Sequence, residues 1–239
     1  MIDIHNHGIY GVDDGADTIE TSLAMLEAAR EQGITDIIYT PHYRHGMFET
    51  PVEVIEEHFH KIEEALEGRC KAGSGPYINV ALGCEYHVDS EIIDHLKSGR
   101  VHSLADSSYV LTEYSHDTPE KSIRLFTDEL LAAGYIPVIA HVERYGVFQK
   151  NPDLAGNLED MGAMIQVNAD SVLGLEGHVL KKTVKRLLDL DVVDYVASDA
   201  HGTKERANHL SKAQDRIAKK YGSDRAILLT KELPKNILK

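Results

Sequence analysis

With 239 residues the chain can bury a substantial core as one large α/β domain or two small ones, and no linker composition interrupts it, so a single domain over 1–239 is expected. Its 39 acidic against 25 basic residues give a formal net charge of −14, which opposes non-specific nucleic-acid binding because phosphate contacts need clustered Lys and Arg; small molecules or protein segments are the expected partners. The longest apolar stretches, such as 135–140, fall far short of the roughly 20 residues that span a bilayer, and no basic-then-apolar signal pattern opens the chain, so no membrane insertion and a cytoplasmic location are expected.

Ile2 and Ile4 begin a short strand that runs into His5 and His7. Two residues apart on an extended strand point to the same side, so these imidazoles can share a metal ion. Asp13 and Asp14 stand just before Gly15, a turn signal, and either can supply carboxylate oxygen nearby. Asp17 is placed to cap a helix with Glu20 at the third position, and Leu23, Met25, Leu26 and Ala29 carry its apolar face as far as Gly33.

The stretch 36–40 reads as a buried strand ending at Pro41 and His42. Thr50 as cap, Pro51 in the first turn and Glu53 predict a helix over 52–67, broken by the Gly- and Pro-rich 73–76. A strand over 77–82 leads into Gly83, Cys84 and Glu85; a short helix follows at 91–97, and a strand over 109–111 ends at Glu113. The second half continues the alternation: helix 119–133, strand 136–140 ending in His141, helix 154–161, strand 164–168, amphipathic helix 178–190, strand 195–198 ending at Asp199 and His201, and a helix over about 205–220.

About seven strands alternating with helices imply parallel pairing through right-handed crossovers. Residues with metal-binding chemistry fall at the carboxyl ends of six strands: His5, His7 and an aspartate after the first, then His42, Glu85, Glu113, His141, and Asp199 with His201. An open sheet would hold its edge strands too far apart for these ends to converge, whereas a closed one gathers them around a single mouth. The expectation is a distorted (β/α)7 TIM-like barrel.

The donor set is nitrogen and oxygen without thiolate, which suits Mn, Fe or Zn in a catalytic rather than a structural site. Five histidines and four carboxylates exceed the needs of one ion; two ions about 3.5–4 Å apart could share a carboxylate and a hydroxide, and a third could take the remaining donors. Arg144, three residues after His141, and Arg206, five after His201, can reach the same mouth and bind phosphate bidentately, against the plainer reading of surface pairs with Glu143 and Glu205. Cys70 and Cys84 form no disulfide framework, and Pro76 and Ser90 stand where a Cys-x5-Arg phosphate loop would need arginine.

His5-Asn6-His7 with Asp13-Asp14-Gly15, the stretch 40–51, Gly83-Cys84-Glu85, the stretch 140–145 and the stretch 197–201 together resemble the polymerase-and-histidinol-phosphatase (PHP) superfamily. Within it they resemble the bacterial manganese-dependent protein-tyrosine phosphatases that act on capsule and exopolysaccharide tyrosine kinases. The resemblance implies three ions: one held by His5, His7, Glu85 and Asp199, a second by Glu85, Glu113 and His141, a third by Asp14, His42 and His201. It thereby selects Asp14 over Asp13. It also implies hydrolysis of phosphotyrosine on a bacterial tyrosine kinase by a metal-bridging hydroxide, with Arg144 and Arg206 on the phosphoryl oxygens. Histidinol-phosphate phosphatase or another small-molecule phosphomonoesterase is the nearest alternative, and a phosphotyrosine-binding module the non-enzymatic one.

Overall fold

The structure is a computed structural model that describes residues 1–71 and 78–239, with 69–71 as backbone only. The break at 73–76, the strand start at Tyr77 and any role for the Cys70 side chain lie outside the described residues; Cys84 is a buried free thiol.

Nine short strands occur among the described residues: β1 (Ile2–Asn6), β2 (Asp36–Tyr39), β3 (His42–Tyr43), β4 (Asn79–Leu82), β5 (Glu85–His87), β6 (Tyr109–Glu113), β7 (Ile136–Ile139), β8 (Met164–Asn168) and β9 (Tyr195–Ala197). All their pairings are parallel, in a three-stranded sheet ordered β1-β2-β4 and a six-stranded one ordered β3-β5-β6-β7-β8-β9. Pro41 lacks the N–H that would keep β2 in the ladder, so the chain breaks at 40–41 and resumes as β3. Its neighbour breaks beside it at Gly83 and Cys84 and resumes as β5, where His42 pairs with Glu85. Two bonds carry the pairing across the gap, Gly83 N–H to the Tyr39 carbonyl (2.8 Å) and Glu85 N–H to the Pro41 carbonyl (3.1 Å).

The sheet curls until β9 meets β1. Asp199 N–H donates to the His5 carbonyl and His7 N–H to the Ala200 carbonyl, both at 2.9 Å. Asp3 stitches the same seam: its buried carboxylate accepts from Ser198 N–H (2.9 Å), Ser198 Oγ (2.6 Å), Asn208 Nδ2 (2.8 Å) and Asn6 Nδ2 (3.1 Å). Asp3 and Asn6 thus share a side although three residues apart, which strict alternation forbids. A register shift between them reconciles this and leaves His5 and His7 together, their Nε2 atoms 3.2 Å apart.

Helices cover the sheet: α1 (Ile19–Glu31), α2 (Val52–Lys71), α3 (Ile92–Ser98), α4 (Glu120–Ala132), α5 (Gly146–Lys150), α6 (Leu154–Met161), α7 (Ala169–Leu173), α8 (His178–Asp189), α9 (Leu210–Tyr221) and α10 (Ser223–Ile227). Alternate strand residues divide between two cores. Ile37, Tyr39, Ile139, Ile165 and Val196 pack with helix residues such as Leu26, Ile62, Leu158, Leu187 and Ile217, whereas Ile4, Ile38, Leu111, Val138 and Ala197 form a second cluster. Two helix starts, and the role of one expected cap, differ from the sequence reading. Thr18, not Asp17, caps α1, accepting from Thr21 N–H at 3.2 Å while Asp17 takes the Thr21 hydroxyl. Thr50 donates to the Val12 carbonyl (2.8 Å), tying the loop after β1 to the approach of α2. The helix expected from 205 begins at Leu210, because 202–207 folds back through bridges pairing Gly202 with Ala207 and Lys204 with Arg206.

Candidate metal centre

The nine candidate ligands converge at one end of the strands. Glu85, first residue of β5 and fully buried, is the hub. Its Oε2 lies 3.0 Å from His5 Nε2, 3.2 Å from His7 Nε2 and 3.1 Å from His42 Nδ1, and its Oε1 lies 2.7 Å from His141 Nε2. Asp199 Oδ1 stands 3.5 Å from His5 Nε2 and 3.6 Å from His7 Nε2; Asp14 Oδ1 stands 3.3 Å from His201 Nε2 and 3.5 Å from His42 Nε2. Glu113, ending β6, is 3.9 Å from His141 Nε2.

Three groups of donors fall within reach of a common ion: His5, His7, Glu85 and Asp199; His7, Asp14, His42 and His201; and His42, Glu85 and Glu113. The first matches the grouping implied by resemblance, and the second matches with His7 added. In the third, His42 stands where His141 was expected, although the His141 ring touches the same Glu85 carboxylate.

Several inward nitrogens are fixed from behind. His7 Nδ1 pairs with Asp13 Oδ2 (2.8 Å), His201 Nδ1 with the Asp199 carbonyl (3.0 Å) and His5 Nδ1 with Gln166 Oε1 (3.2 Å), so each ring presents Nε2 to the centre. Two lone pairs facing each other between His5 and His7, beside carboxylate oxygens, repel unless a cation or proton lies between them. Among the described residues Glu85 Oε2 and His201 Nε2 are buried with no hydrogen-bond partner, a costly arrangement that cation coordination relieves. Oxygen and imidazole donors without thiolate fit Mn, Fe or Zn.

Electrostatics favour ligand-ready forms at most positions. Burial alone would raise the Glu85 carboxyl, but the neighbouring His5 and His42 rings and the hydrogen bond with His141 hold it well below the ordinary range. Burial pushes His42 down to about 4, keeping it neutral. Burial and the neighbouring Glu85 charge push Glu113 up to about 7. His7 runs the other way: burial lowers it, but the Asp13 carboxylate and Glu85 overcome this and raise it to about 10, so a bound cation competes with a proton there.

Arg144 and Arg206 both turn into the centre rather than toward their sequence neighbours. Arg144 Nη2 bonds Glu176 Oε1 and its Nη1 lies 3.2 Å from Asp199 Oδ2; Arg206 reaches Asp14 Oδ2 at 3.2 Å and Asp199 Oδ1 at 3.3 Å. Glu143 instead points inward, fully buried, and accepts from Asn168 N–H at 2.9 Å. His141, Asp199 and Arg206 hold φ of 33°, 53° and 46°, a left-handed conformation costly for non-glycine residues. Beside Arg144 a cavity of about 390 Å³ opens, bordered by Glu113, His116, His141, Gln149 and Leu180. Phe48, in the 44–48 loop, stacks on His42 with ring centres 5.1 Å apart.

Behind the ligands runs a supporting chain that their strand-end pattern does not reveal. Gln166 Oε1 accepts from His141 N–H (2.9 Å) as well as facing His5; its Nε2 donates to Asn168 Oδ1 (2.9 Å), and Asn168 Nδ2 donates to Asp199 Oδ2 (2.7 Å). Three ligand candidates are thus set by two amides of β8. The signal was present: Gln166 and Asn168 form an i,i+2 polar pair inside an apolar strand, the same pattern as His5 and His7.

A sequence profile described as Capsular polysaccharide synthesis, CpsB/CapC, matches residues 1–239. The Tyrosine-protein phosphatase CpsB of Streptococcus pneumoniae is 36% identical over 243 residues, covering 100% of this chain and 98% of that protein. A crystal structure from work on YwqE of Bacillus subtilis and CpsB of S. pneumoniae, described as metal-dependent tyrosine phosphatases, superposes with a TM-score of 0.87 at 34% identity, covering 99% of this chain and 92% of the other. A phosphotriesterase homology protein from Escherichia coli, 11% identical, shares the fold with a TM-score of 0.65 over 100% of this chain and 98% of the other.

Proposed function

Since the chain belongs to the capsular polysaccharide synthesis CpsB/CapC family, we propose the following working of its site. The protein is a metal-dependent tyrosine phosphatase, a phosphoric monoester hydrolase, like the full-length relatives it matches. His5, His7, Asp14, His42, Glu85, Glu113, His141, Asp199 and His201 hold the metal, which we take to be three Mn2+ ions with Fe, Co or Zn as alternatives. The observation that carries this is the buried Glu85 carboxylate with four imidazoles around it and one oxygen left without a hydrogen bond among the described residues.

Bound metal supplies a nucleophilic water at neutral pH and neutralises phosphoryl charge. The chain's own groups do the rest. Arg144 and Arg206, already directed at the carboxylates of the centre, exchange those contacts for the non-bridging oxygens of a phosphoryl group. Asp13, Gln166 and Asn168 hold His7, His5, His141 and Asp199 in register so that little reorganisation accompanies the reaction. The tyrosyl oxygen leaves readily because its conjugate acid has a pKa of about 10.

The substrate is phosphotyrosine in protein, in our reading the tail of a bacterial tyrosine kinase that regulates capsule or exopolysaccharide synthesis. A cytoplasmic location, where ATP-dependent phosphorylation takes place, goes with that substrate; no helix among the described residues is long and apolar enough to cross a membrane. Counting β2 with β3 and β4 with β5 as single broken strands supports the distorted (β/α)7 barrel as the architecture, in one domain. The test is phosphate release with added Mn from a phosphotyrosine peptide and from histidinol phosphate side by side. A markedly higher kcat/KM on the peptide supports the reading, and preference for histidinol phosphate overturns it.

A further inference from the structure

Helix α8 borders two concavities. Leu180 lines the cavity beside Arg144, while the residues that follow it line a groove of about 350 Å³ against α7 and α9. Val184, Leu188 and Ile217 form its apolar floor, and Lys181, Lys182 and Arg216 stand on its rim. That volume lies at the lower end of ligand-pocket sizes and suits an apolar side chain with its flanks.

The charge around the groove is opposite to that of the molecule. Together α8 and α9 carry eight of the chain's 25 Lys and Arg but only two of its 39 acidic residues. Asp189 is occupied by Lys185 and Lys220, and Lys181, Lys182 and Arg216 form no ion pair among the described residues. Clustered cations with no acidic partner, set over an apolar floor, are complementary to an acidic segment that carries an apolar anchor. A recess of this kind fits a protruding side chain.

A chain of net charge −14 also repels an acidic phosphoprotein at long range, and a basic stripe beside the mouth offsets this. We propose that the α8–α9 groove is a docking site for an acidic, apolar-anchored segment of the phosphotyrosine protein, separate from the phosphorylated residue. The substrate part of this rests on the phosphatase reading above.

The test uses the metal-loaded full chain and Lys182→Glu/Arg216→Glu. A fluorescein-labelled, unphosphorylated peptide of glutamates around a central phenylalanine should bind the parent protein saturably by anisotropy, and roughly tenfold more weakly after charge reversal or in high salt. With the same sequence appended to a phosphotyrosine peptide, KM should rise roughly tenfold in the variant while hydrolysis of p-nitrophenyl phosphate stays unchanged. Lys182→Gln/Arg216→Gln, which keeps polar side chains on the rim, should lie between the two and guards against misfolding. Equal peptide binding by parent and charge-reversed proteins overturns the proposal, as does loss in the variant of binding to phosphatidylglycerol vesicles when neither protein binds the peptide. If phosphotyrosine is not hydrolysed at all, the phosphatase reading fails, and the anisotropy result still decides the groove.

Discussion

A Cβ on residue 15 would lie 2.0 Å from the His7 carbonyl oxygen, so only glycine lets the loop carrying Asp13 and Asp14 close over the histidine pair. Gly15→Ala must push that loop away, and a displacement of about 1 Å costs on the order of 100-fold in turnover. Steady-state kcat on a phosphotyrosine peptide, with circular dichroism as a control on folding, checks this; a near-normal kcat would refute the close-approach argument. Asp13 acts one step back, through His7 Nδ1 and the His42 N–H (3.0 Å). Asp13→Asn should weaken metal binding roughly 10- to 100-fold while leaving a folded protein, as read by competition with a chelator of known affinity. At this scale most of the candidate ligands were legible because polar residues abut an apolar run where a strand is expected to end. The roles of Asp13 and Asp14 were not, since adjacent aspartates in a loop carry no periodicity that says which one faces inward. Gln166 and Asn168 went unread because an amide in a strand suggests hydrogen bonding without naming a partner far along the chain.

Among the elements, the seam between β1 and β9 depends on one carboxylate. Asp3→Ala would strand the Ser198 N–H and hydroxyl and the Asn208 amide in the interior, at a cost of about 3 kcal/mol or more, measurable as a fall in the urea midpoint. An unchanged midpoint would show that the curl holds without Asp3. The turn before β9 gives a pH signature. Burial, with Glu159 adding to it, raises the Asp194 carboxyl to about 6 although Ile165 N–H bonds to it. Because the folded value exceeds the unfolded 3.8, the native state keeps a proton that the unfolded chain has lost, and this residue's contribution to stability falls as pH rises from 3.8 to about 6. Asp194→Asn should remove that decline, so Tm profiles of the two proteins should diverge across this window and run parallel above it. Strand and helix order was legible from period and capping, with α6 and β8 at their expected bounds. The late start of α9 was not, because the fold-back of 202–207 depends on a positive φ at Arg206 that no residue type announces.

For the molecule as a whole, the parallel fold and the convergence of strand ends could be read from alternation alone. What alternation could not supply is the interruption of two neighbouring strands: Pro41 signalled one break, but its match at Gly83 and Cys84 follows from pairing between distant segments. These breaks place His42 and Glu85 side by side as first residues of the resumed strands, so the irregularity of the sheet is what builds the hub of the site. Metal and fold are therefore linked: removing the ions should lower Tm, and restoring Mn should raise it with concentration. The measurement that bears most directly on the account is metal content by elemental analysis together with phosphotyrosine-peptide hydrolysis, for the parent protein and for Asp199→Ala. The parent should hold more than one Mn-class ion per chain and turn over robustly, and the variant should fold but lose both metal and turnover. A folded, metal-depleted Asp199→Ala protein that still hydrolyses the peptide at the parent rate would contradict it.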